Sequence, residues 1–261
     1  MNKRILILCE AIAPPAYSPR IITLVEWLQA HGWHCEIATE MDDDTAWEST
    51  VCKIHQMPTY RRLVADKVLG AKEKAFVKYI QQHIDVNSFD LIFCGSYYYF
   101  PLQAAKRLAE IYRLPLVVDL RDITEQWGKL DYYTRRFTGI RYIDSIAKGL
   151  YTYINTLNRN RVLRNATAVT TVSPWHQHTL ALYNPNTHLI YNGYDANTFY
   201  PKTVISNAFD ITFIGKYYSH YQDCPKLLFM ALQSLIDTNQ INELKEFNIN
   251  VAKDIEKNKY K

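Results

Sequence analysis

Two carboxylates flank one guanidinium where an apolar run ends. Leu116-Val117-Val118 is followed by Asp119-Leu120-Arg121-Asp122. Charges this close perturb one another's protonation, and at the mouth of a sheet such a group serves as a base or binds hydroxyls. The same three residues also suit an internal salt bridge that shapes the loop. Asp119, Arg121 and Asp122 are therefore the candidate catalytic residues. Arg20 opens a helix after a loop stiffened by Pro14, Pro15 and Pro19. A cation there is opposed by the helix dipole by roughly a few tenths of a kcal/mol. That points to an anion or acidic partner, or else to a plain surface arginine. Ser96 and Tyr97 begin Gly95-Ser96-Tyr97-Tyr98-Tyr99-Phe100-Pro101, whose four consecutive aromatics would stack a sugar or lipid, or plug a domain interface. Asn192-Gly193-Tyr194-Asp195 and Gly215-Lys216 each follow a strand. Their glycines let a backbone approach a ligand, and Lys216 suits a phosphate.

Composition excludes several other chemistries. The chain has 8 Gly in 261 residues, where common usage would give roughly 18. No two lie closer than ten positions, so neither a dinucleotide fingerprint nor a P-loop is present. Any phosphate must be held by helix N-termini and basic side chains. The 5 Cys are odd in number and form no C-x-x-C pair. Cys9, Cys35 and Cys94 sit in apolar runs as small buried hydrophobes, which favours a reducing compartment. His176-x-His178 points two imidazoles to different sides of a helix, and no metal-binding spacing occurs. Ser96 lacks the second glycine of a nucleophile elbow. A net charge of +4 is too small to argue for nucleic acid, and no recognition motif supports it.

The elements that must position these residues alternate between short apolar runs and helical stretches, the pattern of a parallel sheet with crossover helices. Strands are expected at Ile5–Cys9, Cys35–Thr39, Val51–His55, Asp90–Cys94, Leu114–Asp119, Thr167–Val172 and His188–Tyr191. Helices are expected from beyond Pro19 to near Gly32, then over Arg62–His83, Leu102–Tyr112 and Gly139–Asn165. Met1–Arg4 before Ile5–Cys9 is charged and then apolar like a signal peptide, but Glu10 and Pro14-Pro15 interrupt it, so a buried first strand fits better. Residues 1–202 then form one doubly wound domain. A second starts at 208 with a strand at Phe209–Gly215 and a helix at Pro225–Ile236. Its pattern stops in the polar, Lys- and Asn-rich 242–261, so this domain is expected to be incomplete. Tyr132, Tyr133, Arg135, Arg136 and Phe137 lead into a helix rich in Tyr and cations. That stretch suits an anionic lipid interface, or a helix packed on its own sheet with a wet basic face.

Taken in order, several of these segments resemble the amino-terminal half of a GT-B family 4 glycosyltransferase. They are Pro14-Pro15 with Arg20, Val118-Asp119-Leu120-Arg121-Asp122, Thr171-Val172-Ser173, Ile190-Tyr191-Asn192-Gly193-Tyr194-Asp195 with Phe199-Tyr200-Pro201, and Phe209–Gly215. The resemblance covers about 1–236. It implies an α/β fold of Rossmann-like, GT-B type, with a nucleotide-sugar donor on the carboxyl-terminal domain and an acceptor on the amino-terminal one. It implies a retaining, metal-independent transfer without a cofactor. Asp119, Arg121 and Asp122 would line the acceptor side, Asn192, Gly193 and Asp195 the hinge, and Gly215 the donor.

The chain departs from that family at three places. Pro14-Pro15-Ala16 stands where a Gly-Gly loop is frequent, and Ser96-Tyr97-Tyr98 where a His is frequent. The donor-binding E-x7-E segment is absent, and Val251–Lys261 offers no substitute. The expectation is a cytoplasmic enzyme of surface polysaccharide synthesis, acting on a glycan or lipid-linked acceptor and touching the inner face of the membrane. The alternatives are a non-catalytic half-enzyme that binds an acceptor or a partner chain supplying the missing domain, and a nucleotide-sugar epimerase of the same shape.

Overall fold

The computed structural model describes residues 3–10, 19–41, 51–60, 70–96, 99–127, 141–194, 200 and 223–238. The chain divides into two units, Met1–Tyr194 and Asp195–Lys261. In the first, seven strands run β1 (Lys3–Cys9), β2 (Trp33–Glu40), β3 (Lys53–Met57), β4 (Leu91–Ser96), β5 (Leu116–Leu120), β6 (Ala168–Thr171) and β7 (Thr187–Leu189). Between them lie α1 (Pro19–Ala30), α2 (Ala71–His83), α3 (Leu102–Tyr112), α4 (Arg141–Asn165) and α5 (Pro174–Ala181). The strands form one parallel sheet in the order β3-β2-β1-β4-β5-β6-β7. In the second unit, α6 (Asp223–Asp237) occupies the place of the helix expected at Pro225–Ile236.

The continuous apolar run of β1 follows from burial on both faces, which parallel sheets require. Side chains alternate across the pleat. Ile5, Ile7 and Cys9 pack with Ile21, Val25 and Leu28 of α1, while Leu6 and Leu8 join the larger cluster with Phe76, Ile80 and Leu108 on the other face. Cys9, Cys35 and Cys94 lie buried as free thiols within these layers. Burial pushes Cys9 up to about 12 and Cys35 to about 11, so both stay protonated and inert at neutral pH.

Most strand ends differ from the sequence reading by one or two residues, and three shifted boundaries have a visible cause. The helix expected from Arg62 starts at Ala71, because Gly70 takes a left-handed backbone (φ 58°) as its N-cap; residues 61–69 lie outside the described set. Strand β3 sits two residues later than expected. The carbonyl of Val51 leaves the ladder to accept from Gln29 Nε2 at 2.6 Å. Strand β7 ends at Leu189, because the carbonyls of Ile190 and Tyr191 bond to a side chain instead of another strand. The strand expected at Phe209–Gly215 lies outside the described residues.

Local chemistry explains several helix ends. Ser173 caps α5 by accepting from the His176 amide at 3.2 Å, with Pro174 at the first helical position. Helix α3 gets its cap from another helix: the amide of Ala104 donates to Glu73 Oε2 at 2.7 Å. At the other end of α4, Asn184 Nδ2 donates to the carbonyls of Leu163 and Ala166 at 2.8 Å each. The Leu163 carbonyl also accepts from the Ala166 amide at 3.1 Å, so side chain and backbone together close this helix end.

Gly95 of β4 packs tightly against α1. A Cβ there would stand 2.8 Å from Ile21 Cδ1 of α1. Gly95→Ala should lower unfolding free energy by about 1–3 kcal/mol in urea titrations. Ile21→Val in the same chain removes the clashing methyl, so the double variant should lose less than the two single losses combined.

Candidate functional site

Open α/β sheets bind ligands beyond the carboxyl ends of their strands, where neighbouring connections leave in opposite directions. Here that place is between β1 and β4, which pair from Ile5–Leu91 to Cys9–Gly95. The candidate residues Arg20, Ser96, Asp119, Arg121, Asp122, Asn192 and Gly193 all come from segments at that edge of the sheet. Tyr97, Asp195, Gly215 and Lys216 lie outside the described residues.

The centre of this edge is Arg20. Its Nε donates to Asp119 Oδ2 at 3.0 Å and its Nη2 to Asp119 Oδ1 at 2.9 Å. Nη1 reaches the carbonyls of Ile190 and Tyr191 at 3.3 and 3.4 Å and Asn192 Oδ1 at 3.2 Å. One guanidinium thus joins the start of α1, the end of β5 and the segment after β7. The fork geometry suits a carboxylate, which a lysine would not match. Asp119 is 2% exposed and also accepts from Thr170 Oγ1 at 2.6 Å. Both of its oxygens are therefore occupied. The acidic partner expected for Arg20 lies within the domain, and the guanidinium that pairs with Asp119 is Arg20. The bonds to Arg20 and Thr170 give Asp119 a structural part at this edge.

Arg121 and Asp122 follow β5 and are half-buried. Next to them a short 3-10 turn, Thr124–Trp127, is pinned to α4. Arg159 donates through Nη1 and Nη2 to the two oxygens of Glu125 at 2.7 and 2.6 Å, and Thr124 Oγ1 lies 3.2 Å from Thr156 Oγ1. Burial alone would raise the Glu125 pKa, but the bonds to Arg159 and its charge hold it below the usual range. His176, at the start of α5, is buried, and burial keeps its pKa below the ordinary value against the upward pull of Asp122 and Glu125. A neutral imidazole beside a carboxylate can bind or deprotonate a hydroxyl. From spacing alone, His176 is legible only as a poorly placed metal ligand.

Ser96 is buried and donates to the carbonyl of Phe100 at 2.8 Å, closing its own loop. Tyr99 turns inward, with its hydroxyl 3.4 Å from Thr156 Oγ1 and its ring edge-on to Tyr151. Phe100 packs against Phe76. Two of the four aromatics thus fill the domain itself. Gly193 gives the opposite result: a Cβ there would meet nothing within 4 Å, and its φ is not positive. The local backbone does not require this glycine.

A second group of charges lies beside β1 and β2. Glu10 follows β1, Glu40 ends β2, and Lys72 pairs with Glu40 at 2.5 Å while standing 4.2 Å from the Phe100 ring centre. Burial pushes Glu10 up to about 7 and Glu73 to about 8, against the pull of Lys72 on Glu10 and of backbone amides on Glu73. The loop from Glu10 to Arg20 was singled out from the sequence, but Glu10 itself was not. Elsewhere, a cavity of about 510 Å³ is lined by Glu73, Lys74, Gln103, Arg107 and Asn158. None of its lining comes from a strand end. Among the described residues no group of His, Cys, Asp and Glu is placed to hold a metal.

Residues 19–198 match the family described as Glycosyltransferase Family 4. No curated protein matches the sequence. Among solved structures, HepE of Anabaena in complex with UDP and glucose superposes with a TM-score of 0.53 at 15% identity, over 95% of this chain and 69% of that one. The lipopolysaccharide outer core galactosyltransferase WaaB, in its apo form, gives 0.50 at 11% identity, over 95% and 60%. The calicheamicin glycosyltransferase CalG4 gives 0.50 at 11% identity, over 96% and 66%. At these identities the likeness is one of fold, the Rossmann-like sheet of GT-B glycosyltransferases.

Two outcomes follow from this geometry. Arg20→Ala strands a buried carboxylate and should destabilise the domain by about 3–5 kcal/mol in denaturant titrations, with Arg20→Ala/Asp119→Ala losing less. Glu10 and Glu73 bind protons in the folded chain up to about pH 7 and 8, whereas the unfolded chain releases them near 4.5. Folded protein therefore holds more protons across that window, and stability falls as pH rises through it. Tm should decline from about pH 5 to about pH 8, and Glu73→Gln should flatten the decline.

Proposed function

The chain belongs to glycosyltransferase family 4, and from that premise we propose that it moves a sugar from a nucleotide-sugar donor to a glycan or lipid-linked acceptor in surface polysaccharide synthesis. The observation that carries the reading is the Arg20 clamp, which organises the loops beyond β1, β5 and β7 at the place where such sheets take ligands. In this reading the seven-stranded unit is the acceptor side, and residues 208–261 belong to the domain that holds the donor. HepE in complex with UDP-glucose, a protein of like fold, supports a nucleotide sugar as donor.

An acceptor hydroxyl oxygen bonds to the anomeric carbon while the bond to the nucleoside diphosphate breaks, and the hydroxyl proton leaves with the diphosphate. We assign transfer with retention and without a metal, as the family likeness implies. Arg121, Asp122 and His176 bind the acceptor hydroxyls, Arg20 and Asp119 position the loops, and Asn192, Gly193 and Asp195 border the ligand. Lys216 meets the donor phosphate and Gly215 lets it approach. The protein works in the cytoplasm at the inner face of the membrane, where a lipid-linked acceptor is presented.

The test supplies a panel of nucleotide sugars with lipid-linked and oligosaccharide acceptors, measures nucleoside diphosphate release and identifies products by mass spectrometry. A new glycosidic bond supports the proposal. An isomerised free nucleotide sugar would replace it with an epimerase, and acceptor binding without transfer would make the chain a binding module. Because a methyl at Gly193 meets only open space, Gly193→Ala should leave Tm unchanged and lower kcat/KM about tenfold, or ~1.4 kcal/mol of transition-state stabilisation.

A further inference from the structure

Helix α4 joins the core only near its C-terminal end, through Val162 and Leu163. The rest of its inner face is polar: Asp144, Arg159 and Asn160 are buried, and Thr156 bonds toward Tyr99 and Thr124. Its other large apolar residues are mostly exposed. Tyr142 is 76% exposed, Ile146 56%, Leu150 58% and Tyr153 63%, with Ile143, Ile154 and Leu157 also exposed. Residues 143, 146, 150, 153 and 157 repeat at steps of three and four, so they form one stripe along the helix. Four and seven residues beyond Leu157, on the same stripe, stand the exposed Arg161 and Arg164. Arg161 Nη1 donates to Asn158 Oδ1 at 3.2 Å, and the Arg164 guanidinium lies 5.4 Å from the Tyr183 ring centre.

A soluble helix buries its apolar stripe, so this one awaits a cover. Charge identifies it. Of the charged residues of α4, the single acid, Asp144, is buried, and the rest are Arg141, Lys148, Arg159, Arg161 and Arg164. Pairing with a second copy would set cations against cations with no exposed acid on the helix to answer them, whereas helix pairs are matched by opposite charges at their flanks. A lipid surface with negative headgroups supplies the complement. Tyrosines at the boundary and arginines reaching phosphates are the composition of helices that lie in an interface. No described helix is long and apolar enough to cross a membrane, so contact of this kind is made in the plane.

We propose that the outward face of α4, from Tyr142 to Arg164, docks onto the surface of a bilayer rich in anionic lipid. This deepens the membrane contact in the reading above, yet its test is independent of sugar transfer. The full chain is floated with vesicles of phosphatidylcholine, alone or doped with phosphatidylglycerol. Wild type should rise with the doped vesicles and remain behind with the neutral ones. Ile146→Glu/Leu150→Glu should cut the bound fraction about tenfold, and Arg161→Gln/Arg164→Gln should remove the preference for the anionic lipid. All these variants should keep the wild-type melting profile, since the stripe contributes nothing to the domain's own core. Leu150→Trp should show blue-shifted fluorescence on the doped vesicles, and Thr152→Trp should not. Three results would overturn the proposal: no vesicle binding by wild type, a melting temperature lowered by the glutamates (a cover supplied by the chain itself), or a concentration-dependent dimer that the glutamates abolish. Loss of sugar transfer with flotation intact would count against the enzymatic reading alone.

Discussion

The buried pair between Arg20 and Asp119 governs the ligand-facing edge of this sheet. A carboxylate that is 2% exposed is strongly disfavoured as an ion unless a cation and hydrogen bonds answer it. Arg20 supplies two bonds and Thr170 a third. Replacement by apolar residues of similar volume would serve stability as well or better, so what the pair contributes is placement. The guanidinium has donors left over, and these capture the backbone beyond β7. The cost of burying one charge is thereby converted into a fixed relation among three chain segments that are remote in sequence.

The same logic explains why α4 presents an apolar surface to the outside. Its inner face must hold the turn at Thr124–Trp127, which follows the Arg121-Asp122 pair, and it does so with Arg159 bonded to Glu125 and to Asn160 Oδ1. Polar side chains committed inward along most of the helix leave Ile143, Ile146, Leu150 and Leu157 to face outward. The position of the loop and the character of the outer surface are two results of one orientation.

The fold was largely legible in the chain. Charged residues leading into Ile5–Cys9 mark a first strand buried on both faces, and Leu102–Tyr112 was placed to the residue because its apolar spacing is local. Two of the misplaced boundaries share one cause. The end of β7 depends on an arginine 170 residues away, and the start of β3 on a glutamine in α1. Site residues divide in the same way. Asp119 and Arg20 were both singled out by type and position, but their pairing spans 99 residues and no local pattern carries it. Glu10 and His176 went unassigned because burial sets their protonation, and burial is settled only when helices dock. Ser96 looked available until Phe100 folded back to it.

The cap on α3 couples two helices that spacing alone would treat as separate. Pro101 at its N-cap offers no side-chain acceptor, and the acceptor comes instead from Glu73, more than two turns of α2 before that helix ends. The first turn of α3 is therefore incomplete until α2 has packed beside it, and the Glu73 carboxyl oxygen lacks its amide donor until α3 has formed. Neither helix can fray or assemble alone without exposing the other's unmet bond. This half of the sheet's covering layer is thus expected to open and close as a single cooperative unit.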